Sequence, residues 1–283
     1  MIQPHEIDLL LEEIVTLPSV PQTLARITQM MSKPDVSLAE VSKVVSTDPS
    51  IALKTLRLVN SALYGLRNKV VSVDHAVAML GLDVIRNLVL TATVFDTFKR
   101  GSECLLTHSV ACGVALRAVA IETNFVNPSD IDGVFVFGLL HDVGKIIFHE
   151  FLPEETTKAE EVSRERQIPM FQAEREIIGC DHAEMGARLA LTWQLPDELV
   201  HAVGYHHFPS SCKDEKARQR AAMLSIADVI CWASGLASVP DVPVTVPAET
   251  WDLVGIRSRN IPSILDRFFN SMPEMRELLE IAR

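Results

Sequence analysis

A histidine and an aspartate stand side by side in an apolar stretch of the chain. Residues 138–150 read GLLHDVGKIIFHE, so His141 and Asp142 are flanked by residues typical of a buried helix. Buried imidazoles and carboxylates are costly unless they are hydrogen-bonded, paired or bound to a metal. One such pair is often only a hydrogen-bonded feature of a helix. Its meaning therefore depends on whether the fold brings further ligands to it.

Helical periodicity dominates the rest of the sequence. Apolar residues recur at spacings of three and four, and strand-like alternation appears only briefly in the proline-rich tract at 239–247. Ser37 with Glu40, and Asp181 with Glu184, have the spacing of helix-capping residues. We therefore predict an all-α fold with helices over residues 6–17, 21–31, 73–80, 83–98, 105–122, 154–167, 217–233, 261–269 and 273–281, and others beginning at Ser37, Asp48, Asp181 and Pro196.

The overall charge disfavours nucleic acid as a partner. Lys and Arg number 26 against 37 Asp and Glu, which gives a formal net charge of −11, and the sequence pI is about 5.3. Such a chain repels polyanions. Residues 46–65, STDPSIALKTLRLVNSALYG, suggest a helix-turn-helix, but they lack a dense basic face, so we reject that alternative.

Cysteine usage and hydropathy predict a soluble, cytoplasmic protein. The five cysteines are odd in number and form no CxxC pair, which is typical of neither a disulfide framework nor a zinc ribbon. The N-terminus, MIQPHEIDLLLEEI, lacks the basic and apolar regions of a signal peptide. We find no apolar run near the roughly 20 residues that span a bilayer, and so expect no membrane association.

Seven side chains offer metal-ligand chemistry. Each histidine alone is more often a core or surface residue than a ligand. Together, five imidazoles and two carboxylates on five predicted helices would leave several titratable groups unpaired in one core, and divalent ions would satisfy them. The candidates are His108, His141, Asp142, His182, His206, His207 and Asp228, with the helix from Pro196 expected to reach His206 and His207.

His182 is predicted in the first turn of a helix that Asp181 caps. The positive end of the helix dipole disfavours an imidazolium there, so we expect a neutral ring, as a metal ligand must have. His149, at the far end of the apolar stretch, finds no role and is expected to be an ordinary surface or capping residue.

An early histidine, an adjacent His–Asp pair and a late aspartate together resemble the signature of the HD superfamily of metal-dependent phosphohydrolases. That resemblance implies that His108, His141, Asp142 and Asp228 would hold one metal ion. Mixed nitrogen and oxygen ligation suits iron, manganese, zinc or nickel better than magnesium or calcium.

The added histidines resemble the second-metal set of the HD-GYP branch of that superfamily. This implies a second ion at His182, His206 and His207, with Asp142 as the bridge between the two ions. Lys145 matches the lysine of the branch's HDxGK motif, which implies a contact to a phosphate oxygen beside Asp142 during catalysis. After His207 the chain reads FPSSCKDEK and lacks the GYP signature, which speaks against cyclic-dinucleotide hydrolysis.

The longest resemblance is to the HDOD family, the HD-related output domains of bacterial signalling proteins. It covers residues 10–235 and rests on the order and spacing of LPSVPQTLARI, VVSTDPSIALKTLRLVNSALYG, AVAMLGLDVIRNLVL, FGLLHDVGK and DHAEMGARLALTWQLPDELVHAVGYHH. The resemblance implies an HD-domain-like multi-helix bundle at 101–235 with an additional N-terminal helical subdomain at 1–100. Residues 236–283 are then expected to be a proline-containing connector and C-terminal helices that pack on the body.

Three functions remain open. The first is a regulatory signalling module whose metal site is structural or senses a ligand. The second is a phosphohydrolase that acts on a nucleotide or another phosphodiester through Asp142 and Lys145. The third, a scaffold whose histidines only hydrogen bond, is disfavoured by the size of the ligand set. The missing GYP signature and the regulatory character of HDOD proteins favour the first, with a signalling protein or a small phosphorylated or nucleotide ligand as the partner.

Overall fold

The structure is a computed structural model, and its regular elements confirm the all-α prediction. Within the residues it describes, every regular element is a helix. The predicted helix at 6–17 lies outside these residues, and that at 21–31 lies mostly outside them. The described residues are 26–27, 30, 36–62, 64, 66, 69–98, 103–123, 125–126, 131, 133–193, 195–238, 242 and 245–282.

The first helices begin at the predicted caps. Helix α1 (Leu38–Ser46) opens with a complete capping box, in which the Glu40 amide donates to Ser37 Oγ at 3.2 Å and the Ser37 amide donates to Glu40 Oε2 at 3.0 Å. Helix α2 (Pro49–Val59) starts after Asp48, whose carboxylate accepts from two backbone amides of the first turn. These caps satisfy amides that the helices themselves leave without acceptors.

Twelve further helices follow in the described chain. The first of them is interrupted at Gly81, whose φ of 80° and ψ of 173° are not helical, so it consists of two helices, as predicted for 73–80 and 83–98. The helices are α3 (Val73–Phe98), α4 (Glu103–Thr123), α5 (Phe135–Leu140), α6 (Val143–Phe151), α7 (Pro153–Arg166), α8 (Met170–Ile177), α9 (His182–Thr192), α10 (Asp197–Gly204), α11 (Glu215–Ala233), α12 (Ala248–Leu253), α13 (Ile261–Asn270) and α14 (Met272–Ala282).

Helix α4 is the axis of the packing. It contacts α5, α11, α13 and α14, as well as α3. It is also long and apolar enough to cross a bilayer, contrary to the expectation that no such run exists, but 78% of its apolar window is buried inside the protein. This helix is therefore surrounded by protein in the manner of a central core helix.

The C-terminal helices share the core of the rest of the chain. Phe268 of α13 and Leu278 of α14 are fully buried, and Leu265 packs at the edge of the same cluster. Helix α14 also contacts α2 and α3, so one apolar core runs from the N-terminal helices to the C-terminus of the described chain. The division of the chain near residues 100 and 235 stays a prediction.

Helices α4 and α5 cross at a pair of glycines. A methyl group added to Gly138 would lie 2.5 Å from the Cα atom of Gly113, which is backbone and cannot move aside easily. The close approach places α5, and with it the His–Asp pair at its end, directly against α4, which carries His108.

We expect Gly138→Ala to lower the free energy of unfolding by about 1–3 kcal/mol, because overpacked cores must shift backbone. Denaturant titration of both proteins measures this difference. Gly133→Ala is the control, since its added methyl group would meet only the end of the Asn87 side chain, at 3.1 Å. An equal loss in both variants would contradict this account of the crossing.

Candidate metal centre

All seven candidate side chains, together with Lys145, meet at one point inside the helical bundle. They come from α4, from the α5–α6 junction, from the start of α9, from the turn after α10 and from α11. Five of them are 0–2% exposed, and His207 and Asp228 are half-buried. The five with almost no exposure are His108, His141, Asp142, His182 and His206.

The apolar residues around the His–Asp pair suggest one continuous helix. In the structure, the pair instead lies in a break between two helices. Helix α5 ends at Leu140, α6 begins at Val143, and Asp142 has non-helical torsions of φ −99° and ψ 10°. Neighbouring side chains in a helix diverge by about 100°. The break instead lets His141 and Asp142 point to the same centre.

His206 and His207 also lie in a turn, so the prediction that the helix from Pro196 extends to them was wrong. Helix α10 ends at Gly204, and a short 3₁₀ turn begins at Pro209. A proline disfavours helical torsions in the residue before it, and Phe208 has φ −136° and ψ 63°. The glycine and the proline on either side of the two histidines were the available sequence signals.

One half of the cluster is built around His108. Its Nε2 atom lies 3.2 Å from Asp228 Oδ1, 3.4 Å from Asp142 Oδ2 and 3.2 Å from His141 Nε2. His141 Nε2 in turn lies 3.5 Å from Asp142 Oδ1 and 3.9 Å from Asp228 Oδ1. Ligands about 2.0–2.2 Å from a shared ion are separated by about 3.0–3.6 Å in octahedral or tetrahedral arrangements, so most of these distances fit one ion.

The other half is built around His182. Its Nε2 atom lies 2.8 Å from His207 Nε2 and 3.2 Å from Asp142 Oδ1, and the His206 ring lies between those of His207 and His141, with centroids at 3.9 and 5.2 Å. Donor atoms of His182, His206 and His207 all lie within 4.8 Å of one another. Asp142 contacts both halves, because Oδ2 faces His108 and Oδ1 faces His141 and His182.

Backbone and carboxylate acceptors fix the orientation of four imidazoles. The Nδ1 atoms of His108, His141 and His206 donate to the carbonyls of Leu236, Gly138 and Val203 at 2.6–2.7 Å. The Nδ1 atom of His182 donates to Glu174 Oε2 at 2.6 Å. In a neutral ring this arrangement leaves Nε2 as a lone-pair donor. The four lone pairs are thus directed into the centre.

Without a metal ion, protons must separate these lone pairs. Burial disfavours charge on His108, but the hydrogen bond to Asp228 and the negative charges of Asp228 and Asp142 together outweigh it and raise the pKa to about 9. Burial likewise opposes charge on His182, yet the Glu174 carboxylate raises its pKa to about 10. Burial and the neighbouring His141 and His182 lower the pKa of His206 to about 3. The Glu174 and Asp142 carboxylates thus favour a charged His182 ring in the metal-free protein, opposite to the neutral ring expected from the helix dipole, which stays a prediction for the metal-bound protein.

Asp142 is a carboxylate throughout the physiological range. Burial alone would raise its pKa, but the imidazole of His141 and the ammonium group of Lys145 hold it well below its usual value. Lys145 Nζ donates to Asp142 Oδ2 at 2.8 Å and to Ser238 Oγ at 2.9 Å. Lys145 therefore lies beside Asp142, as predicted, and also contacts a residue that sequence reasoning did not include.

A domain model and solved structures resemble the chain over most of its length. The model of the HDOD domain matches residues 17–209. The chain belongs to the HDOD domain family. An HDOD domain protein of unknown function from Geobacter sulfurreducens is 27% identical, with a TM-score of 0.74 and 97% of each chain covered. A Shewanella amazonensis SB2B protein, provisionally named a metal-dependent phosphohydrolase, shares the fold at 17% identity and a TM-score of 0.60, over 97% of this chain and 95% of that one.

One curated relative extends well beyond this chain. An uncharacterized protein of Treponema pallidum (strain Nichols) is 28% identical over 204 residues, which are 69% of this chain and 38% of the relative. The chain thus spans less than half the length of that relative.

Helix α8 of this HDOD protein supports two of the clustered histidines, and sequence reasoning missed both contacts. Glu174 Oε2 accepts hydrogen bonds from the backbone amide of His182, at 2.9 Å, and from the Nδ1 atom of the same residue. Phe171, one turn earlier, stacks on His207 with ring centroids 4.4 Å apart. A fully buried glutamate, 1% exposed, on an otherwise amphipathic helix was the structural sign of this role. In the sequence it could not be told from its exposed neighbour Glu176.

The segment after α11 closes the other side of the cluster. Leu236 and Ser238 bind His108 and Lys145, and Val246 and Pro247 line the same space. The cavity that remains next to the histidines has a volume of only about 40 Å³. A water molecule needs about 10–15 Å³ on this measure, so the space suits a few atoms and not a nucleotide.

We expect Glu174→Gln to flatten the pH dependence of stability in the metal-free protein. With a folded pKa of about 10 and an unfolded value of about 6.5, the protonated His182 stabilises the fold below pH 6.5, and this contribution is lost as the pH rises towards 10. Urea titrations in the presence of a chelator measure the free energy of unfolding at pH 7 and at pH 9. Its decrease between these two pH values should be smaller in the variant than in the wild type.

Glu176→Gln is the matched control on the same helix, because Glu176 is exposed and pairs with Arg166. Its pH dependence should equal that of the wild type. An unchanged fall in Glu174→Gln would show that Glu174 does not hold the proton on His182.

Proposed function

We propose that this chain is a bacterial HDOD regulatory protein of signal transduction whose seven-residue cluster holds two transition-metal ions in a closed site. The observation that carries the proposal is His206. Its Nδ1 atom donates to Val203, and its buried Nε2 atom has no hydrogen-bond partner in the described part of the chain. A buried acceptor without a partner costs about 1–3 kcal/mol, and a cation in the centre would remove that cost.

The two halves of the cluster supply the two donor sets. We assign His108, His141 and Asp228 to one ion and His182, His206 and His207 to the other, with Asp142 shared. Ions bound there would displace the protons that otherwise separate His108 from His141 and His182 from His207. The nitrogen and oxygen donors favour iron, manganese, zinc or nickel. When bound, such ions neutralise charge on a phosphate ester.

The closed space around the cluster supports a regulatory role over hydrolysis. Sites for nucleotide-sized ligands have volumes of about 300–1,000 Å³, whereas the cavity here is about 40 Å³. Lys145, the expected phosphate contact, is engaged with Asp142 and Ser238. In this form the metal centre would stabilise the fold or sense a ligand. Its partner would be a signalling protein or a small phosphorylated ligand. The free cysteines support a reducing compartment, the cytoplasm.

A metal-dependent phosphohydrolase is the second candidate. The observation that favours it is the full donor set with Lys145 only 2.8 Å from Asp142. For that activity Leu236 would have to move away from His108, and Ser238 from Lys145, so that a phosphodiester could reach Asp142. Asp142 and Lys145 would then position the phosphate group.

The metal proposal predicts about two equivalents of transition metal per chain after reconstitution, and loss of most of it in His141→Ala and Asp142→Asn. Elemental analysis of the purified proteins measures this. His149→Gln is the control on α6, because His149 is about 40% exposed and faces Glu160. If the reconstituted wild type contains no metal, both the regulatory and the hydrolytic form of the proposal are contradicted.

The two candidate functions differ in their response to a phosphodiester. With manganese or iron bound, we expect no turnover of bis(4-nitrophenyl) phosphate or of a nucleotide panel, because the closed cavity excludes them. Release of nitrophenolate or free phosphate measures turnover. Hydrolysis that Asp142→Asn abolishes and His149→Gln retains would establish the enzyme instead of the regulator.

A further inference from the structure

His207 is held differently from the other four histidines of the cluster. Those four donate through Nδ1 to a backbone carbonyl or to a carboxylate. In the described part of the chain the Nδ1 atom of His207 has no such acceptor, and its Nε2 atom lies 2.8 Å from Nε2 of His182. The ring that is also half-buried is therefore the one whose orientation no hydrogen bond to backbone or carboxylate fixes.

An aromatic stack takes the place of that hydrogen bond. The ring of Phe171 lies 4.4 Å from that of His207, centroid to centroid, with 22° between their planes. Phe208 meets the Phe171 ring edge-on, with centroids 5.4 Å apart. Phe171 is only 5% exposed, yet it belongs to neither apolar cluster of the described chain. Its ring is therefore buried against the ligand turn and not in the apolar core. Stacked and edge-on contacts of this kind restrict ring orientation.

An arginine closes the stack on its outer side. The Arg175 guanidinium carbon lies 6.0 Å from the centroid of the Phe171 ring and 5.2 Å from that of Phe208, within the range of cation–π contact. Its Nη2 atom also lies 2.7 Å from Oδ2 of Asp181, the cap of α9. Arg175 thus connects the stack to the start of the helix that carries His182.

Helix α8 supplies these contacts to one half of the cluster. Phe171 stacks on His207 and Glu174 accepts from His182, and both histidines belong to the donor set that we assign to the second ion. The other donor set is positioned by α4, by the α5–α6 junction and by α11. The position of α8 therefore bears directly on the second ion.

Helices α7 and α8 form a hairpin, residues 153–177, with a small core of its own. Met170 and Ala173 of α8 pack with Ala159 of α7 in a cluster separate from the main core, and Ile177 touches the edge of both. The main contacts of α8 are with α7 and α9. Segments with few buried apolar contacts to the main core open at a lower free energy than the core itself. The contacts with His182 and His207 are therefore a large part of what docks this hairpin.

We propose that Phe171 is a positioning residue for the second ion, and that binding of this ion is coupled to docking of the α7–α8 hairpin. The stacked ring holds His207 with Nε2 towards the centre. Coupling between two equilibria is reciprocal, so the docked hairpin tightens the ion by the factor by which the ion stabilises docking. The inference rests on the proposed metal centre and adds how occupancy of one half is regulated. The hairpin is then the part of the surface that differs between the protein with one ion and with two.

The test titrates Mn²⁺ into the full chain after treatment with a chelator, with free Mn²⁺ measured by electron paramagnetic resonance. The wild type should bind two ions, and the ion lost in His207→Ala is the second one. Phe171→Leu should weaken that same ion about tenfold, the lower end of the range for loss of a contact that orients a ligand, and leave the other unchanged. Phe171→Tyr, which keeps the ring, should restore binding of both.

Phe269→Leu is the matched control, because Phe269 is 52% exposed on α13. It should bind both ions as the wild type does. Equal affinities in Phe171→Leu and the wild type, or equal weakening of both ions, would overturn this inference while leaving the metal centre in place. Weakening by Phe171→Tyr as large as that by Phe171→Leu would also overturn it. A wild type that binds no Mn²⁺ would overturn both the inference and the metal centre.

Hydrogen exchange tests the coupling without any change at Phe171. Mn²⁺ should slow exchange of the α8 backbone amides in the wild type, because the bound ion stabilises the docked hairpin. In His207→Ala, which retains only the other ion, Mn²⁺ should leave the exchange of these amides unchanged. Equal exchange of the α8 amides in the wild type with and without two bound ions would overturn the coupling.

Discussion

Four imidazoles, each held by its Nδ1 atom, present their Nε2 atoms to a buried centre around Asp142, and the arrangement around them follows from that constraint. The Nε2 atoms of His182 and His207 are 2.8 Å apart, and those of His108 and His141 are 3.2 Å apart. Two lone pairs cannot face each other at these distances without a proton or a cation between them. The raised pKa values of His108 and His182 express the need for positive charge at this point. The His206 ring, whose pKa is lowered to about 3, cannot meet that need with a proton.

The packing of the bundle maintains this constraint. The glycine crossing of α4 and α5 brings His108 next to His141, and Gly144 rests on the backbone of His182, where a methyl group would overlap the carbonyl. Carbonyls at helix ends and turns, which would otherwise need water, accept the Nδ1 protons. Leu236 and Ser238, beyond the residues that the HDOD model matches, complete the enclosure. The same contacts that orient the cluster therefore also restrict access to it.

Periodicity and capping residues were sufficient to predict most of the described helices, because amphipathic spacing and caps such as Ser37 and Asp48 act locally, but the short helices α8 and α12 were not predicted. The seven clustered side chains could be named from the sequence, since so many titratable groups in apolar runs need a common partner. The break at His141–Asp142 was missed because apolar residues continue on both sides of it, whereas the turn at Tyr205–His207 was signalled only by Gly204 and Pro209. Glu174 and Ser238 were missed for another reason. Their roles arise from contacts across 8 and 93 residues, which no local pattern encodes.

Anomalous diffraction from crystals of the reconstituted protein, recorded at the absorption edge of the bound metal, tests the central claim most directly. The account predicts two peaks, one among His108, His141 and Asp228 and the other among His182, His206 and His207, with Asp142 between them. A structure without either peak, in which a water molecule or a proton satisfies the Nε2 atom of His206, would contradict it.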